Sequence, residues 1–156
     1  MPPQQRLLHA KQSGDKIVTS LPDIARTKNR LPSKRPTMHS GSCHCGDIKL
    51  TVPSTPAALT SCNCSICRRL GSLWAYYPLG TVKIEGHPEK TETYIWGDKT
   101  LRFMRCRNCG CTTHWEPLEP KPGERHGINM RNFDQSLLES VKARPFDGAD
   151  TWKFLD

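Results

Sequence analysis

The sequence predicts a mainly β domain of short strands, and three observations carry that prediction. Apolar residues alternate with polar ones at period two in several short runs, the pattern of half-buried strands. These runs recur at close intervals between Gly- and Pro-bearing turns, with no βαβ rhythm. All eight cysteines fall between Cys43 and Cys111 in C-x-C and C-x-x-C spacings. That spacing in a reducing compartment argues for bound metal rather than disulfides. The hydrophobic fraction is only 35%, so metal is expected to supplement the core.

The domain texture begins at Met38, itself a candidate start codon. Ile48, Leu50 and Val52 alternate with Lys49 and Thr51, and Pro53 and Pro56 end that strand. Leu73 to Tyr77 is aromatic-rich and reads as extended. Val82 and Ile84 alternate with Lys83 and Glu85, closed by Gly86 and Pro88. Thr91 to Trp96 and Leu101 to Arg105 flank Gly97-Asp98-Lys99-Thr100, a hairpin signature. Thr112 to Trp115 and Gly127 to Met130 complete the strands. One short helix stands out near the C-terminus, with Asp134 as N-cap, Leu137, Leu138 and Val141 as its apolar face, and Pro145 beyond its end.

Cys43 and Cys45, at i and i+2 on a strand, face one side and point at one ion. Cys106-x-x-Cys109 has knuckle spacing, with Gly110 supplying backbone freedom for the turn. Together these four thiols make a closed structural zinc site. Cys62, Cys64 and Cys67 remain as a three-thiolate group, one short of a tetrahedron. The candidates for its fourth place are water, a substrate thiol, Cys111, His114 and His44. With that place open, zinc acts as a Lewis acid and lowers the pKa of an incoming thiol. With Cys111 in it, the site is a second structural zinc. Ser65 is a candidate cap for a short helix through Arg69, which puts Cys67 in the first turn, where a thiolate is favoured. Arg68 and Arg69 offset the thiolate charge or meet the carboxylates of an anionic substrate. Trp74, Tyr76, Tyr77 and Trp96 read as core or as a pocket wall. Asn129, Arg131 and Asn132 form a polar cluster with no motif behind it. Nucleophile-elbow, phosphate-loop and paired-carboxylate signatures are lacking.

Charge divides the chain. Residues 1–37 carry eight Lys and Arg against Asp15 and Asp23, so +6 of the total +8. With five prolines and few large apolar residues, this stretch reads as a disordered basic extension. Its candidate roles are an inert tail, an arm touching nucleic acid, or a targeting peptide. Residues 38–156 are nearly neutral, so the domain itself is not an evident nucleic-acid binder. Neither a secretory h-region nor a run long enough for a membrane span is present. A cytoplasmic location is expected.

The ordered series Gly41-Ser42-Cys43-His44-Cys45-Gly46, Cys62-Asn63-Cys64-Ser65-Ile66-Cys67-Arg68-Arg69, Tyr94-Ile95-Trp96-Gly97 and Cys106-Arg107-Asn108-Cys109-Gly110 resembles the glutathione-dependent formaldehyde-activating enzymes and the related domain of centromere protein V. The resemblance runs from Met38 to the C-terminus. It implies a β-tent fold, two zinc ions and a carbon–sulfur lyase activity. It implies a structural zinc on Cys43, Cys45, Cys106 and Cys109 and a catalytic zinc on Cys62, Cys64 and Cys67. In the namesake enzyme, glutathione and formaldehyde combine reversibly to S-(hydroxymethyl)glutathione. Cys111 stands where many relatives have Ser or Thr. Three functions are therefore expected in competition: a zinc-dependent lyase acting on a small aldehyde and a thiol, a structural zinc module for protein contacts, and a chromatin or nucleic-acid module using the tail.

Overall fold

A computed structural model describes residues 37–156 of the chain. The basic extension, and the nucleic-acid role resting on it, lie outside the described residues apart from Thr37. In chain order the elements are β1 (His39–Ser42), β2 (Lys49–Val52), β3 (Leu59–Cys62), α1 (Ser65–Leu70), β4 (Trp74–Pro78), β5 (Lys83–Glu85), β6 (Thr91–Ile95), β7 (Leu101–Cys106), β8 (Thr112–Pro117), β9 (Arg125–Asn129), a 3₁₀ turn (Met130–Asn132), α2 (Gln135–Ser140), β10 (Ala143–Asp147) and β11 (Lys153–Phe154). The class is mainly β, as the alternating runs predict.

Two sheets form. The small one has the order β1-β2-β5, and the large one β11-β10-β3-β4-β9-β8-β7-β6. Pairing is antiparallel except between β3 and β10, which run parallel. The β6–β7 hairpin forms where the turn residues place it, with Ile95 opposite Arg102.

Alternation sends successive residues of the large sheet to opposite faces, and each face buries its own cluster. On one face Ala75, Tyr77 and Ile128 meet Ile48, Leu50 and Val52 of β2, together with Leu59, Val82 and Met130. Leu50 and Ile84 lie opposite each other in the small sheet, so the period-two residues of both strands cover this core. Ile48, Leu50, Val52, Leu59 and Ile128 are fully buried, and each such side chain contributes about 1.5–3 kcal/mol by burial. On the other face Trp74 and Phe103 meet Cys67, with Tyr76 and Trp115 packed alongside. Trp74 and Tyr77 are core, whereas Trp96 is exposed at the hairpin tip.

Three local expectations are corrected. Cys43 and Cys45 occupy a turn between β1 and β2, not a strand. The N-cap of α1 is Cys64 rather than Ser65, and no side-chain cap bond forms. Pro145 does lie past the end of α2, but inside β10, opposite Ser61 of β3. Asp134 holds the N-cap position of α2 with no side-chain bond, and Leu137 and Leu138 pack against the first core. Among the described residues, no helix is long and apolar enough to cross a membrane.

Candidate functional site

The thiols of Cys43, Cys45, Cys106 and Cys109 converge, all within 4.8 Å of one another. Cys43 and Cys45 Sγ are 3.6 Å apart, as are Cys45 and Cys106 Sγ. A tetrahedron with metal–sulfur bonds near 2.3 Å has sulfurs about 3.8 Å apart, so the four thiols fit a metal ion. They are far too distant for disulfides, and all eight cysteines are free. Two tight turns present them. In the first, the Gly46 amide donates to Cys43 O and the Ile48 amide donates to Cys43 Sγ at 3.3 Å. In the second, the Gly110 amide donates to Cys106 O at 3.0 Å, with Gly110 at φ 74°, a left-handed conformation glycine adopts without strain. Asp47 braces both turns, accepting from Lys90 Nζ at 2.8 Å and Asn108 Nδ2 at 3.2 Å.

Cys62, Cys64 and Cys67 form a second cluster, with the three Sγ atoms also within 4.8 Å of one another. Cys62 ends β3, Cys64 caps α1, and Cys67 lies in the first turn of that helix. Cys67 is buried, and the indole Nε1 of Trp74 donates to its sulfur at 3.2 Å. Burial pushes the Cys67 thiol up to about 12, so without a cation it holds its proton at neutral pH. Burial also raises the Cys64 thiol, but the Cys67 amide, the Cys62 and Cys67 thiols and the Ile66 amide together outweigh it and bring the net shift downward. Asn63, between two of these cysteines, ties the cluster to the far end of the chain. Its Nδ2 donates to Asp147 Oδ1 at 2.8 Å, and its Oδ1 accepts from the Ala149 amide at 2.9 Å. Gly148 then passes so close that a Cβ there would stand 2.5 Å from Cys62 Sγ.

A cleft of about 370 Å³ opens beside this second cluster. Cys62 and Cys67 form its floor, Arg68 and Arg131 its basic flank, and Pro145, Phe146 and Leu155 an apolar wall. An ion held by three thiols here is reachable by a small molecule, unlike one held by the closed quartet. Residues 38–146 match the family described as glutathione-dependent formaldehyde-activating enzyme. The chain belongs to that family. A crystal structure of a Rhodobacter sphaeroides protein is similar, at 28% sequence identity and a TM-score of 0.54, covering 67% of this chain and 98% of that one.

Within this family frame, the structure sorts the sequence candidates. Cys111 does not close the second cluster. Its thiol lies against the His44 amide and the Cys109 thiol, beside the first cluster, and it belongs to neither set of mutually close ligands. His44 is exposed on its turn. His114 is fully buried and groups with His87 and Glu116 rather than with any cysteine. Burial, reinforced by the charges of His87, His126 and Arg102, pushes His114 down to about 3. The Asn129, Arg131 and Asn132 cluster acquires a role as a bracket. Asn129 Oδ1 accepts from the Leu73 and Arg131 amides, while Asn129 and Asn132 both donate to Thr112 O. Arg131 Nε donates to Gly71 O at 3.3 Å, which holds its guanidinium at the cleft. Asp147, Gly148, Phe146 and Leu155 were not legible as site residues, because only the pairing of β10 with β3 brings the C-terminal segment to the cysteines.

Proposed function

We propose that the protein is a zinc-dependent carbon–sulfur lyase that joins or releases a small aldehyde and a thiol such as glutathione. A three-thiol cluster, two of whose members line a cleft flanked by Arg68 and Arg131, is the observation that carries this reading. Two zinc ions are assigned. Cys43, Cys45, Cys106 and Cys109 would hold a structural ion in a closed set, and Cys62, Cys64 and Cys67 a second with one exchangeable position. Bound there, zinc supplies Lewis acidity and favours the thiolate form of an incoming thiol.

The chain's own residues bind and orient. The Trp74 indole fixes the direction of the Cys67 sulfur, and the Asn63–Asp147 pair fixes the loop between Cys62 and Cys64. Arg68 and Arg131 suit the two carboxylates of glutathione, each charge-assisted pair being about twice as strong as a neutral hydrogen bond. Phe146 and Leu155 give the cleft an apolar side. In the forward direction a sulfur–carbon bond forms, the carbonyl π bond breaks, and the thiol proton ends on the former carbonyl oxygen. No electrons are exchanged with an outside reagent. None of the residues lining the cleft is a His, Asp or Glu, so proximity and polarisation carry the acceleration rather than a dedicated base. Reduced thiols are required, which suits the cytoplasm.

Exchange NMR with glutathione and formaldehyde tests the reading. Interconversion is expected to accelerate in proportion to protein concentration. An unaltered exchange rate across several thiols and aldehydes would sink it. A second reading, a zinc module for protein contacts, draws on the exposed Tyr94, Ile95 and Trp96 of the β6–β7 hairpin. It predicts a rate unchanged by the protein and a partner lost on Trp96→Ala.

A further inference from the structure

We infer that His87, His114 and Glu116 form a third metal site, which takes a divalent ion of the zinc class. The three side chains come from separate places. His87 lies in the loop between β5 and β6, while His114 and Glu116 stand two apart on β8 and so share a face. Their ligand atoms lie within 4.8 Å of one another. This face of the large sheet is opposite the one carrying Trp115 and the second cysteine cluster.

The hydrogen bonds around the two imidazoles are satisfied together when each ring carries its proton on Nδ1. Thr113 Oγ1 donates its only hydrogen to Met104 O at 3.3 Å, so it accepts from His114 Nδ1 at 2.9 Å. His114 Nε2 is therefore a bare lone pair. The same chain repeats at His87, where Thr91 Oγ1 donates to Pro88 O at 3.1 Å and accepts from His87 Nδ1 at 2.8 Å. His87 Nε2 is likewise a lone pair. Both point at one carboxylate: His87 Nε2 is 3.7 Å from Glu116 Oε1, and His114 Nε2 is 4.0 Å from Glu116 Oε2. Two nitrogen lone pairs and a carboxylate thus converge with no hydrogen between them. His114 Nε2 is fully buried and has no hydrogen-bond partner, an arrangement that normally costs about 1–3 kcal/mol. A cation between the three satisfies all of them at once.

The distances fit that role. Nitrogen and oxygen ligands of zinc sit about 2.0–2.2 Å from the ion, hence about 3.3 Å from each other. Closing from 3.7 and 4.0 Å needs shifts of only a few tenths of an ångström per side chain. Each histidine already has the outer partner that metal-bound histidines use to fix ring orientation, here a threonine hydroxyl on Nδ1. The carboxylate has one too, since Arg102 Nε donates to Glu116 Oε1 at 2.7 Å. A two-histidine, one-carboxylate set selects borderline divalent ions over calcium or copper(I). Arg102 shares the carboxylate charge, so this site binds more weakly than the thiolate clusters and fills last. His126 lies nearby but outside this mutually close set. It is buried with an unpartnered Nε2, and carrying the β8–β9 register one pair past Trp115 and Gly127 sets it opposite Glu116. The bound ion pins the His87 loop to β8.

The test uses the full chain with its thiolate clusters saturated with zinc, titrated with further Zn²⁺ and followed by ¹⁵N NMR of the histidine rings. The His87 and His114 Nε2 resonances are expected to move together and to saturate at one added ion per chain. In His87→Gln the dissociation constant of that added ion rises at least about tenfold, as loss of a ligand requires, while the cysteine-bound metal is unchanged. Nε2 resonances that stay still under excess zinc, or a variant that binds as tightly as wild type, overturn the proposal. If His87→Gln does not fold, the wild-type titration decides alone.

Discussion

Gly148→Ala isolates the second cysteine cluster with one methyl group. Gly148 does not have a positive φ, so alanine adds no backbone strain there. Its only effect is steric, because the new Cβ lands 2.5 Å from Cys62 Sγ. Carbon and sulfur rest about 3.5–4.0 Å apart, so one of the two must retreat by about 1–1.5 Å. The glycine loop has little room to do so. Its own amide donates to Phe146 O at 3.0 Å, and the next amide, of Ala149, is held by Asn63 Oδ1. The sulfur therefore moves, and metal sites tolerate displacements of only about 0.2 Å. Overpacking of this size costs about 1–3 kcal/mol, which corresponds to roughly a 5- to 150-fold loss of affinity for the second ion. Metal analysis after competition with a chelator should show the second ion lost first, the quartet-bound ion retained, and the thiol–aldehyde exchange rate reduced in step. A Gly148→Ala protein that keeps wild-type affinity and exchange would refute the reasoning, as would one that loses both ions together.

Cys106→Ser should lower thermal stability sharply, whereas Cys64→Ser should leave a folded protein short of one ion; circular dichroism melts with metal analysis separate them. Arg68→Ala and Arg131→Ala should each raise the KM for glutathione about 10-fold or more, the scale of a lost charged hydrogen bond. Neither should alter the KM for an uncharged thiol of similar size. Asp147 carries a pH signature. The side-chain bonds from Asn63 and Thr151 hold its carboxyl down to about 2, against 3.8 ordinarily. The sign follows from protons bound: between those values the unfolded chain binds more, so stability falls as pH falls. The stability difference between wild type and Asp147→Asn should be constant above about pH 4 and shrink toward pH 2, measured by urea unfolding at each pH.

What the sequence made legible follows the range of the forces involved. Strands β2 and β4 to β9 were visible because their signals are local: alternation in Ile48, Leu50 and Val52 and in Val82 and Ile84, and β-prone or aromatic runs between turn residues elsewhere. The strands β1, β3, β10 and β11 were not. His39–Ser42 and Leu59–Cys62 lack alternation, and β10 contains Pro145, which argues against a strand wherever its amide is needed. The parallel partner β3 makes the segment a strand, a contact from more than eighty residues away. The cysteine quartet was found for a sound chemical reason and a wrong local one. A turn brings the Cys43 and Cys45 thiols together as well as a strand does, so the error was harmless. The Asn129 bracket and the convergence of His87 with Glu116 had no local signature, since each depends on which strands become neighbours.

The two cysteine clusters also differ in what a bound ion can do for the fold. The quartet joins residues 61 apart, Cys45 and Cys106, and thereby holds the small sheet's first turn to the end of β7. On the loop-closure scale a cross-link of that span contributes about 4 kcal/mol. Cys62, Cys64 and Cys67 lie within one six-residue stretch, and a cross-link that local contributes about half as much. The long-range attachment of this stretch is made by other means: pairing of β3 with β10, the Asn63–Asp147 bond, and the close pass of Gly148. The second cluster is thus held in place without its ion. An ion there can change ligands without loosening the fold, which is the condition a site exchanging substrate at a metal must meet.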